Sequence, residues 1–148
     1  MEGLTRFYRR ALLRAAATRL AGRPVDIEWR PPDAPYQKGA ARRAGNTGIV
    51  VIDPDLEGQD LFDVYLHELA HVRLHFETIP DDLARPLVAA KADPRGSTAW
   101  SRAAYARREQ DAAELACQWA EQVRLLLPGG RGSVEDCAIA VLGLPRQA

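Results

Sequence analysis

Apolar residues recur at helical spacing from the start of the chain, at Leu4, Tyr8, Leu12 and Ala15. The pattern predicts an amphipathic helix over residues 3–21, stopped by Gly22 and Pro24. Val25-Asp26-Ile27-Glu28-Trp29 alternates apolar and polar side chains, as a half-buried strand does. Pro31, Pro32 and Pro35 and the stretch from Lys38 to Gly48 read as a loop rich in turn formers. The short apolar run 48–52, closed by Asp53-Pro54, predicts a second strand. A helical period then starts near Gln59 and runs through Leu61, Phe62, Tyr65, Leu66, Leu69, Val72 and Phe76, ending by Ile79-Pro80.

Residues 78–97 carry Pro80, Pro86, Pro94 and Gly96 and no clear period. A connection of that length tends to be functional, and a lid over a site is the expectation. Ser97 or Thr98 is placed to cap a long helix that reaches Leu127 and stops at Pro128-Gly129-Gly130. Its inward stripe is Ala112, Ala116, Trp119, Val123 and Leu126 or Leu127. A last helix is expected over roughly 133–142. The succession gives an α+β fold, mainly helical, with a two- to three-stranded sheet packed beside the second helix. No repeat or linker divides the chain, so a single domain over residues 1–148 is expected.

Composition narrows the function classes. With 47% hydrophobic and 27% charged residues, the chain has the make-up of a globular protein. No apolar run approaches the roughly 18 residues that cross a bilayer, and Arg14 and Arg19 break the one run that resembles a signal peptide. A cytoplasmic protein without a membrane partner is the expectation. Cys117 and Cys137 are too few for a disulfide framework or a four-thiolate metal site. The zero net charge conceals ten basic and four acidic residues in the first 43. Arg6, Arg10 and Arg14 are spaced as one solvated helix face, and direct nucleic-acid binding is not expected.

The chemistry concentrates at His67-Glu68-Leu69-Ala70-His71. Histidines four apart share one helix face, close enough for both imidazoles to bind one zinc ion. Glu68, one position on, projects beside the metal, where a general base for water belongs. All three histidines of the chain fall within nine residues, which two unrelated core histidines would not explain. His75 lies about 12 Å along the axis from His67, too far to share its metal, and reads as a helix-end residue or a neighbour of a ligand. The pattern with a glycine and a third histidine after the motif is absent, since those positions hold Leu74 and Glu77.

A catalytic zinc needs a third protein ligand. The inward stripe of the long helix, extended backwards, reaches Glu109 and Tyr105. Glu109 is the expected third ligand and Glu114 the second choice, while Tyr105 reads as core packing and Asp111 as a solvated charge. The cysteine-bearing deformylase arrangement is set aside, because both cysteines lie downstream of the motif.

Gly45-Asn46-Thr47-Gly48-Ile49-Val50-Val51-Ile52, then Tyr65-Leu66-His67-Glu68-Leu69-Ala70-His71 and Leu74-His75, resembles the ImmA/IrrE-type zinc metallopeptidases. Glu109-Gln110-Asp111-Ala112 is similar to the second motif of that family, and the resemblance covers residues 45–128. It implies a zincin-like domain with zinc on His67, His71 and Glu109, and Glu68 as base. It further implies hydrolysis of a protein or peptide, such as a repressor, and a regulatory setting of the kind found in phage or mobile elements. The strand at 48–52 is expected to pair with an extended substrate. The gap from His71 to Glu109 is longer than the family pattern, and Leu115 stands where an aromatic residue is usual. The competing expectation is a zinc-containing binding or regulatory module that cleaves nothing.

Overall fold

The structure is a computed structural model that describes residues 2–34, 36–82 and 99–145. Helix α1 (Glu2–Ala21) leads into strand β1 (Val25–Trp29), followed by β2 (Gly39–Ala44) and β3 (Thr47–Ile52). Helix α2 (Gly58–His75) continues into a single 3₁₀ turn, Phe76–Thr78. Helix α3 (Ala99–Leu126), a second 3₁₀ turn at Pro128–Gly130 and helix α4 (Val134–Leu142) complete the described elements. The fold is α+β, with four helices around a three-stranded mixed sheet among the described residues.

The sheet order is β1-β3-β2, with β1 parallel and β2 antiparallel to β3. Strand β2 corrects the reading of residues 38–48 as a loop. Its Ala40-Ala41-Arg42-Arg43 core has little β propensity, and pairing along the whole of β3 overrides that weakness. The usable signal was Gly45-Asn46, a two-residue hairpin loop in which Gly45 takes φ 61°. A second correction follows: β3 is the central strand, hydrogen-bonded on both edges, so it has no edge left for a substrate.

Helix α2 is the central element. Leu61, Phe62, Tyr65, Leu66, Leu69, Ala70 and Val72 are buried along it, facing α1, the sheet, α3 and α4. Such a helix, apolar on most sides, is held by burial from all directions. The Tyr65 hydroxyl donates to the Leu13 carbonyl at 2.7 Å and ties α2 to α1. Helix α1 also holds α4: Arg9 pairs with Glu135, and Arg19 Nε donates to the Leu144 carbonyl at 2.8 Å. Ser133 caps α4 with a reciprocal bond to Asp136.

On α3, Ala112, Trp119 and Val123 are buried as the stripe predicts, and Ala116 packs against the core. Of the two residues expected to end the stripe, Leu127 packs against the core while Leu126 is 53% exposed. On the arginine face of α1, Arg6 and Arg14 are exposed as the spacing suggests and Arg10 is half-buried. Arg10 lies over the Trp29 ring at 4.5 Å, and Arg14 reaches Asp26 at 3.4 Å. Most of the stretch read as a lid, and Ser97 and Thr98, lie outside the described residues. No helix among the described residues is long and apolar enough to cross a membrane.

Candidate metal centre

Two helices build the site. On α2, His67 and His71 stand one turn apart, with ring centroids 4.9 Å from each other and the planes nearly perpendicular. On α3, Glu109 stands one short turn before Ala112, whose side chain is fully buried. A small residue at that crossing lets the helices approach, which brings the Glu109 carboxylate to the histidines. His67 Nε2 donates to Glu109 Oε2 at 2.9 Å, and His71 Nε2 lies 3.1 Å from Glu109 Oε1. The three residues offer ligand atoms that all lie within 4.8 Å of one another.

This donor set suits zinc. Two imidazole nitrogens and a carboxylate oxygen are common zinc ligands, and atoms sharing a tetrahedral zinc sit about 3.3–3.5 Å apart. The two histidine–carboxylate distances, 2.9 and 3.1 Å, lie within a few tenths of an ångström of that spacing. Glu114, the second choice, is exposed, accepts from Gln110 Nε2 at 3.4 Å and does not join the cluster. Tyr105 is only half-buried, not a core residue.

The cluster is electrostatically coupled. Hydrogen bonds from His67 and then His71 hold the Glu109 carboxyl far below the usual carboxylate range. The same bond raises His67 above its ordinary value, against the opposing effect of burial. Glu68 moves the other way: burial raises its pKa, and the neighbouring histidines offset only part of that rise. A carboxyl group raised towards neutrality is a better proton acceptor and donor in turnover than an ordinary one.

One feature was not legible in the sequence. Gly39 of β2 lies against Glu68, so close that a β-carbon there would stand 3.0 Å from Glu68 Cγ and 2.5 Å from Val64 Cγ1. This contact belongs to the strand that the sequence concealed. His75, the last residue of α2, also has its Nδ1 3.0 Å from His71 Nδ1, so it is both a helix-end residue and a neighbour of the cluster. No protein-family profile, curated protein or solved structure matches the chain.

Proposed function

We propose that the chain is a zinc-dependent hydrolase acting on peptide bonds. The observation that supports this reading is the convergence of His67, His71 and Glu109 within 4.8 Å, with Glu68 on the same helix beside them. A zinc ion held by those three residues supplies Lewis acidity and makes water nucleophilic near neutral pH.

The chain's own residues supply the rest. Glu68 accepts the proton of the attacking water and returns it to the amine nitrogen that leaves. Burial of its carboxyl favours that exchange. Strand β2 offers the substrate an edge. Arg43 N–H donates to the Pro80 carbonyl at 3.0 Å and its carbonyl accepts from Asp82 N–H at 2.8 Å, both away from β3. Backbone alternation turns Gly39 and Ala41 to that same side, and no strand among the described residues covers it there. An extended peptide pairing with Ala41 and Gly39 would run past Glu68, as strand addition to an edge requires. The resemblance to ImmA/IrrE-type peptidases favours a regulatory protein as the substrate.

The test uses the purified chain. Elemental analysis should find about one zinc per chain, and a mixture of unstructured peptides should be cleaved in a chelator-sensitive way. Glu68→Gln should keep the zinc and lose at least about 10²-fold in rate. Cleavage by Glu68→Gln at the native rate overturns the mechanism. Zinc without chelator-sensitive cleavage leaves the non-catalytic zinc module as the better reading.

A further inference from the structure

His71 uses both ring nitrogens within the described residues, and His67 only one. His71 Nε2 faces Glu109 at 3.1 Å, while its Nδ1 faces His75 Nδ1 at 3.0 Å. His67 Nε2 faces the same carboxylate, and its Nδ1 makes no hydrogen bond among the described residues. His75 reaches His71 because it lies one turn further on the same face of α2, with ring centroids 5.2 Å apart.

We propose that His75 is the positioning residue for His71, holding its ring and tautomer for metal binding. The inference rests on the metal-centre reading above. Two imidazole Nδ1 atoms at hydrogen-bond distance must share one proton, since one has to donate and the other accept. In the metal-free chain His71 Nε2–H faces the Glu109 carboxylate, so a neutral His71 accepts at Nδ1 and His75 is the donor. Once His71 Nε2 carries a metal, its remaining proton is on Nδ1, and His75 must then accept through an unprotonated Nδ1. His75 is thereby fixed as the Nε2–H tautomer. Ligating histidines are commonly oriented through their second nitrogen by a carboxylate, carbonyl or water, and the partner contributes to affinity. Here a third histidine does that work for one ligand and leaves the other without an equivalent among the described residues.

Two measurements test this on the intact chain. The first is zinc affinity by competition with a chromophoric chelator. His75→Leu should weaken zinc binding by about 10–100-fold. His75→Asn places an amide oxygen near the lost Nδ1 and should recover most of that affinity. His75 is half-buried at the end of α2, so both variants should keep the melting temperature of the metal-free chain. The second is imidazole nitrogen NMR on the zinc-loaded chain, which should show His71 protonated at Nδ1 and His75 protonated at Nε2 alone. Equal zinc affinity in the native chain and His75→Leu, or a proton on His75 Nδ1 in the loaded state, overturns the positioning role while the metal site stands. Absence of zinc binding by the native chain overturns the metal site itself.

Discussion

Gly39 and Glu68 meet where strand β2 runs under helix α2, with no room for a side chain between them. A methyl group at position 39 would stand 3.0 Å from Glu68 Cγ, 3.3 Å from the Val51 carbonyl oxygen and 2.5 Å from Val64 Cγ1. The backbone oxygen cannot move without opening the sheet, so Val64 and Glu68 must give way. Gly39→Ala should therefore cost about 1–3 kcal/mol of stability, the usual penalty of overpacking. Displacement of Glu68 should lower the hydrolysis rate while zinc affinity stays near that of the native chain, because the atoms nearest a β-carbon at position 39 belong to Val64, Glu68 and Val51 and to none of His67, His71 and Glu109. Loss of zinc in proportion to activity would count against this division of labour.

Glu109 and Glu114 sit five residues apart on one helix and should behave as opposites. Glu109 bonds both histidines, whereas Glu114 is exposed and bonded to Gln110. Glu109→Gln removes an anionic ligand and should weaken zinc binding by at least about 10-fold, with cleavage falling in step. Glu114→Gln should leave both within error. Equilibrium dialysis of the two variants decides it, and comparable losses in both would reopen the assignment of the third ligand.

How far the sequence revealed these relationships differs by element. The bounds of β1 and α2 were legible, with β1 expected where it is observed and α2 starting within a residue of Gln59. Helix α1, by contrast, buries Leu13, Ala16, Ala17 and Leu20 and leaves the expected stripe residues Leu4, Tyr8 and Ala15 exposed. The motif on α2 placed His67, Glu68 and His71 by helical geometry alone. Glu109 was reachable by following the stripe of Ala112 and Trp119 backwards along α3. Strand β2 was hidden because its residues carry no strand pattern, and its pairing with β3 is a tertiary effect. With β2 hidden, neither the contact of Gly39 with Glu68 nor the free edge could be read, and an open edge was expected on β3, which is the central strand. Both places expected for His75, at the helix end and beside a ligand, are observed, and the ring contact with His71 depends on side-chain rotamers that spacing does not specify.

Tyr65 connects the site helix to α1 by a single buried bond. Its hydroxyl is fully buried and donates to the Leu13 carbonyl at 2.7 Å, and that burial pushes its pKa well above the ordinary value. Tyr65→Phe keeps the ring stacked near Phe62 but leaves the carbonyl without that donor. A loss of about 1–3 kcal/mol is expected from chemical denaturation, with zinc stoichiometry unchanged. A loss below about 0.5 kcal/mol would mean that the carbonyl finds another partner.

The metal-free cluster should leave a signature in the pH dependence of stability. Glu109 has a depressed pKa in the fold, so its contribution is present above the ordinary value of 4.5 and is lost as pH falls towards the folded one. His67 has a raised pKa, so its contribution is complete below the ordinary value of 6.5 and is lost as pH rises through the folded one. Both describe largely one interaction, between a carboxylate and an imidazolium, and it is strongest when both are charged. The chelator-treated native chain should therefore exceed Glu109→Gln in melting temperature most clearly between about pH 4.5 and 6.5. The gap should narrow on either side of that window. Zinc should reverse the upper limb, because its ligands must be unprotonated: affinity should fall as pH drops below the raised His67 value. Thermal melts of the chelator-treated native and Glu109→Gln chains across pH 3–9 test the first part. A gap that stays constant over that range would show that the histidine–carboxylate interaction does not stabilise the metal-free fold.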